Sequence, residues 1–151
     1  MNLLIGEQLC RTLTRVILEI EKWRERTMAS HILGLNVDDR LKKSDETLVM
    51  DIARVTFPNG QVRNFYSFAT KYCSRHKPAD YPIYDSYVDS VLRYFRDVDG
   101  FYEFKSQDLK DYPLFRRIVS EFRDFYGLGE YDFKKIDMYL RRLGKEKFSK
   151  M

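Results

Sequence analysis

Cysteine and histidine are scarce in this chain of 151 residues, with two of each. Cys10 and Cys73 lie far apart and follow no ligand spacing, so neither a disulfide framework nor a zinc site is expected, although His76 follows Cys73 by three positions. His31 and His76 are too few for a multi-histidine metal centre. Reduced, buried thiols are the reading that fits such usage. No apolar run approaches the ~20 residues of a membrane-spanning helix, and Leu3-Leu4-Ile5 is too short for a signal-peptide core. The expectation is a soluble cytoplasmic protein without membrane contact. Also absent are a GxxxxGK[ST] phosphate loop, a serine-nucleophile elbow and a Cys–His pair in a triad context. Enzyme classes built on those devices are disfavoured, and no metal and no cofactor is expected. Chemistry is left to carboxylates, lysines and aromatics.

Aromatics are abundant, with eleven Tyr, eleven Phe and one Trp. A small helical domain needs large side chains to fill its centre, so most of these belong to the core. Hydrophobic residues make up 44% of the chain, an ordinary share for one folded domain over 1–151. The net charge of +4 is a mild basic bias, compatible with nucleic acid. It is concentrated in Lys134–Lys150, where seven cations face only Asp137 and Glu146. That stretch reads either as a solvated helix face or as one that meets phosphate.

Hydrophobic periodicity predicts a succession of helices and no strand. Leu9, Leu13, Val16, Ile17, Ile20 and Trp23 recur at helical spacing over about Glu7–Arg26. A second helix, about Ser44–Arg54, starts behind the capping candidates Ser44 and Asp45 and turns Leu48, Val49, Ile52 and Ala53 inward. Phe57-Pro58-Asn59-Gly60 is a turn. A third helix, about Val62–Arg75, turns Phe65, Phe68, Ala69 and Tyr72 inward and is broken by Lys77–Pro82. A fourth, about Asp85–Asp97, carries Val88, Val91, Leu92 and Phe95. Two more, about Tyr112–Tyr126 and Tyr131–Leu143, bury Leu114, Ile118, Phe122 and Phe125, then Phe133, Ile136, Tyr139 and Leu140. The expected fold class is all-α, a single compact multi-helix domain.

One stretch suggests chemistry rather than packing: Lys71–Val88, KYCSRHKPADYPIYDSYV. A basic helix end (Lys71, Arg75, His76, Lys77) runs into a Pro-bracketed loop, which delivers Asp85 to the mouth of the next helix. A carboxylate there is stabilised as an anion by the helix dipole. The plain reading of Asp85 is an N-cap. Lys71 can equally lie along an apolar face or pair with Asp85 or Asp80, and Arg75 and Lys77 suit the dipole of the helix C-terminus.

The order turn, helix, short loop, then Pro82-Ile83-Tyr84-Asp85-Ser86-Tyr87-Val88 resembles the helix-hairpin-helix superfamily of DNA glycosylases. There a hairpin of the type L-P-G-x-G precedes a helix, and a segment like P-V-D-x-H-V carries the catalytic Asp. Phe57-Pro58-Asn59-Gly60-Gln61-Val62 is similar to that hairpin, making a helix-hairpin-helix-like core of about 44–97. Ser67–Tyr72 followed by Tyr81–Val88 further resembles small bacterial proteins of the 8-oxoguanine DNA glycosylase fold. The resemblance implies double-stranded DNA as partner and Asp85 as the carboxylate that stabilises an oxocarbenium-like transition state. It implies phosphate contacts from Pro58, Asn59, Gly60, Arg63, Arg75 and Lys77, and a base pocket using Tyr72 and Tyr84. The position that holds a nucleophilic lysine in bifunctional members is Arg63 here, and a guanidinium does not deprotonate to form a Schiff base. Lys71, two turns on, is the remaining lysine for a catalytic role. The expected activity is therefore monofunctional N-glycosidic hydrolysis. A helical interaction module that binds a protein partner, such as a bacterial defence-system component, is the competing reading, and an RNA-binding helical protein is a third.

Overall fold

The computed structural model describes residues 2–148, excluding the side chains of residues 2–14, 16, 17 and 20. The inward places expected of Leu9, Leu13, Val16, Ile17 and Ile20, and that of Cys10, fall outside the described side chains. The described residues form seven α-helices, one short 3₁₀ segment and one two-stranded sheet. In chain order these are α1 (Asn2–Leu33), α2 (Val37–Lys42), α3 (Thr47–Ala53), β1 (Arg54–Thr56), β2 (Val62–Asn64), α4 (Tyr66–His76), α5 (Ser86–Asp99), the 3₁₀ segment Ser106–Lys110, α6 (Tyr112–Phe125) and α7 (Phe133–Phe148). The predominantly helical class expected from the sequence holds. Among the described residues no helix is long and apolar enough to cross a membrane.

The sheet is the main departure. β1 and β2 pair antiparallel with Val55 opposite Arg63, where the periodicity predicted a turn running straight into a helix. The Pro58-Asn59-Gly60 turn thus joins two strands, not two helices. Its internal hydrogen bonds run from the Gly60 N–H to the Phe57 carbonyl (2.9 Å) and from the Phe57 N–H to the Gln61 carbonyl (2.8 Å). Gly60 takes φ 84°, the left-handed position of a three-residue hairpin loop, which glycine adopts without a Cβ clash. Val55, Thr56 and Val62 are β-branched and suit the strands that the turn brings together. The helix-hairpin-helix-like element is corrected accordingly: between α3 and α4 the connection is a β-hairpin.

The hairpin also resets the next helix. α4 starts at Tyr66 and buries Tyr66, Ala69, Thr70, Cys73 and Ser74, while Phe68 lies 44% exposed. In α6 and α7, Leu114, Phe125 and Tyr139 face outward instead of inward. The faces of α3 and α5 are as expected, with Leu48, Val49, Ile52 and Ala53 buried in the one and Val88, Val91 and Leu92 in the other.

One contiguous core runs from Leu48 to Leu140 and includes the buried Cys73. Burial pushes the Cys73 thiol up to about 12, so it is protonated and unreactive at neutral pH. Its large tyrosines satisfy their hydroxyls on backbone carbonyls, as burial of a phenol requires. Tyr66 donates to Leu109 (2.8 Å), Tyr112 to Pro82 (2.8 Å) and Tyr81 to Asp45 (3.0 Å). α7 crosses α5 where Gly144 meets Tyr87, an approach so close that a Cβ on Gly144 would sit 2.7 Å from Tyr87 Cβ. Trp23 on α1 packs on Phe57 at 5.2 Å between ring centroids, and His31 Nε2 lies 2.6 Å from the Asp51 carbonyl oxygen.

Candidate functional site

The loop Pro82–Asp85 is the hub of the fold, because each of its residues is bonded to a different helix. Pro82 accepts from Tyr112 of α6. The Ile83 N–H donates to Asp137 Oδ2 of α7 (2.9 Å). Tyr84 exchanges hydrogen bonds with Thr70 of α4, its N–H donating to Oγ1 at 3.0 Å and its carbonyl accepting from the same hydroxyl at 3.3 Å. Asp85 is the N-cap of α5: Oδ1 accepts from the Val88 N–H at 2.9 Å and the backbone is extended there (φ −148°, ψ 178°). Asp85 Oδ2 is taken by Arg141 Nε of α7 at 3.0 Å, and the Asp85 side chain is only 12% exposed.

Ile83 of this loop lines a cleft of about 360 Å³ between α4 and α7. Lys71 and Arg75 line it from α4, Lys134 and Arg141 from α7, and Asp137 and Ile83 close it. Among the described residues, Lys71, Arg75 and Lys134 have no ion-pair partner. Their charges are therefore available to an anion at short range. Asp137 is 3% exposed, and its Oδ1 has no hydrogen-bond partner. Burial pushes its carboxyl up to about 8, opposed by the Ile83 N–H and the Arg141 charge. Burial on this scale favours the neutral acid at neutral pH.

The expected site residues are scattered over the fold. Lys71 and Arg75 join the cleft, but Lys71 makes no ion pair with Asp85, whose partner is Arg141. Lys77 is committed elsewhere. Its ammonium lies 3.1 and 3.2 Å from the Leu41 and Lys42 carbonyls, 2.7 Å from Ser44 Oγ and 3.2 Å from Asp80, so it closes the C-terminal end of α2. Pro58 lines a separate groove with Trp23 and His31 of α1. The Gly60 and Gln61 N–H groups are used within the turn, the latter by Asn59 Oδ1 at 3.0 Å, so they do not form an anion cradle. Arg63 is exposed on β2. Tyr84 is a core residue, its ring 4.9 Å from Tyr66 and its hydroxyl donating to Asp89 at 2.7 Å. Tyr72 is half-buried against His76 at 4.8 Å between ring centroids. Burial raises both phenols above their ordinary range.

Asp137, Lys134 and Arg141 were not singled out as a site from the sequence, yet a signal was present. Phe133, Asp137, Leu140 and Gly144 fall at i, i+4, i+7 and i+11 and are all buried, which places the aspartate in the middle of an apolar stripe. A carboxylate there is costly unless something compensates it.

The chain is a predominantly helical protein whose cationic cleft is floored by a buried acid. Residues 13–80 match the model of the family described as HI_0787_N, N-terminal domain. That segment carries Lys71 and Arg75 but stops short of the Pro82–Asp85 loop and α7. A protein of Haemophilus influenzae strain Rd, named only "Uncharacterized protein", is 48% identical over 124 residues, covering 82% of this chain and 58% of its own length. The chain thus spans less than two thirds of that relative. No solved structure matches it.

Proposed function

We propose that the protein binds DNA, holding the phosphate backbone in the cleft between α4 and α7, and that it works in the cytoplasm. The observation that carries this reading is the convergence of Lys71, Arg75 and Lys134 with Arg141 on one concave surface. Cations without carboxylate partners are what a polyanion needs, since each phosphate they neutralise releases condensed counterions. Affinity for duplex DNA, followed by fluorescence anisotropy, falls linearly on a log–log plot against salt. Lys71→Ala and Lys134→Ala each reduce that slope by about 1. A slope that neither variant moves would place binding elsewhere on the surface and overturn the assignment.

A second reading, hydrolysis of the N-glycosidic bond of a modified base, is favoured by one observation. The group that occupies Asp85 Oδ2 is Arg141, itself a wall of the cleft. A phosphate that draws Arg141 away leaves one carboxylate oxygen of Asp85 for chemistry. Incubation with a panel of modified-base duplexes followed by hot alkali tests it. Strand breaks with the native protein and none with Asp85→Asn support excision. Intact strands throughout leave DNA binding without turnover, the role of an interaction module.

A further inference from the structure

We propose that the α4–α7 cleft holds a subsite for a phosphate monoester, the terminal phosphate of a DNA strand, gripped by Lys71, Arg75, Lys134 and Arg141 against the carboxyl of Asp137. This inference rests on the DNA-binding reading above and narrows it to strand ends. Three observations carry it: the cleft itself, the cations without partners on its two walls, and the unpartnered Oδ1 of a side chain that is 3% exposed.

The charge matches a monoester better than an internal phosphodiester. A monoester carries close to two negative charges at neutral pH and offers three terminal oxygens, whereas each backbone phosphate carries one charge. Lys71, Arg75 and Lys134 supply the balance, with Arg141 shared between the ligand and Asp85. Asp137 supplies the discrimination. Its Oδ2 already accepts from the Ile83 N–H. Oδ1, sealed beneath the cleft floor without a partner, carries the proton. It meets a phosphate oxygen once the side chain turns toward the cleft, a turn that also disturbs the Ile83 N–H bond. Without a ligand that donor is buried with nothing to receive it, an arrangement native proteins rarely keep.

The groups that act on this carboxyl come from several elements. Arg141 lies on α7, Asp85 at the head of α5, Tyr112 on α6 and Asp132 just before α7, while Lys134 on α7 and Lys71 and Arg75 on α4 line the same cleft. Asp85 and Asp132 favour the protonated form and Arg141 opposes it. A dianion entering the cleft further favours the protonated form. An ionised Asp137 would instead repel the ligand, so binding weakens as pH rises through about 8.

The test uses the full chain with four probes: inorganic phosphate, and one short oligonucleotide carrying a 5′-phosphate, a 3′-phosphate or neither. The expected result is that one phosphorylated form binds about tenfold tighter than the unphosphorylated one, the scale of a charge-assisted hydrogen bond. That form identifies the end recognised. Asp137→Asn, which keeps a donor, retains the preference and removes its decline above pH 8, whereas Lys134→Ala and Lys71→Ala, both on exposed positions, reduce it. Titration with inorganic phosphate shifts the Ile83 amide resonance in a ¹⁵N correlation spectrum. Equal affinity for all three oligonucleotides with no shift at Ile83 overturns the subsite and leaves DNA binding standing. A shift at Ile83 with no affinity for any oligonucleotide supports the phosphate site and removes DNA as its source.

Discussion

Arg141 Nε stands 3.0 Å from Asp85 Oδ2, joining the helix mouth that the sequence marks as chemical to a helix it marks only as basic. The contact gives Asp85 two roles, and they separate by mutation. Asp85→Ala removes both the cap and the ion pair and costs about 0.5–2 kcal/mol, the range for losing an N-cap. Asp85→Ser keeps an oxygen for the Val88 N–H and stays close to the parent, because a partly exposed ion pair contributes little. Urea unfolding of the two variants measures the difference.

The Lys77 ammonium is held by the end of α2, Ser44 and Asp80. Lys77→Met keeps the aliphatic stem but strips the donor from the Leu41 and Lys42 carbonyls and from Ser44 Oγ. A loss of about 1–3 kcal/mol is expected, the scale of charge-assisted bonds withdrawn from part-buried acceptors. Amide exchange should quicken in α2, while the proposed DNA affinity stays with the parent and Lys134→Ala weakens it. Weaker DNA binding by folded Lys77→Met would show that its ammonium leaves the α2 carbonyls to meet phosphate.

Asp137 sets a pH dependence with a definite sign. Its folded-state carboxyl sits at about 8 against an ordinary value of 3.8, so the native chain holds a proton that the unfolded chain releases. Stability from this group is fully present below the ordinary value and is lost as pH rises through about 8. Asp137→Asn removes that slope and is the more stable protein at pH 8. Thermal midpoints of both proteins across pH 4–9 check it, and parallel curves would mean that the carboxyl is ionised in the fold.

The α5–α7 crossing tolerates no methyl group. A Cβ on Gly144 would lie 2.8 Å from the Tyr87 carbonyl oxygen as well as 2.7 Å from its Cβ, so relief requires backbone movement rather than a new rotamer. Gly144→Ala is expected to cost about 1–3 kcal/mol in urea unfolding. Because α7 carries Lys134, Asp137 and Arg141, the variant should also weaken the proposed DNA binding, through displacement of the helix.

Local chemistry made α5 readable in advance. Asp85 is a capping residue directly before Ser86, Val88, Val91 and Leu92 share one face, and Gly100 takes φ 61° at the far end. The Pro58-Asn59-Gly60 turn was equally plain. What that turn connects was not, because three-residue strands are too short to show a period of two. The faces of α4, α6 and α7 differ from those the periodicity predicts at Phe68, Leu114, Phe125 and Tyr139 for a related reason. With aromatics this frequent, a helix offers more than one apolar stripe, and its neighbours choose which is covered.

The sequence by itself determined the helical class, the capped start of α5, the turn at Pro58–Gly60 and the excess of positive charge near the C-terminus, all of which depend on residues close in the chain. Tertiary structure alone decided that Arg141 rather than Lys71 meets Asp85, that Lys77 is held by α2, and that Lys71 and Arg75 share a cleft with Lys134 and Asp137. Those pairings join positions many residues apart. Their geometry follows from how α7 lies against α5 and the Pro82–Asp85 loop, a packing set by the fit of Gly144 to Tyr87 and of Asp137 to the Ile83 N–H.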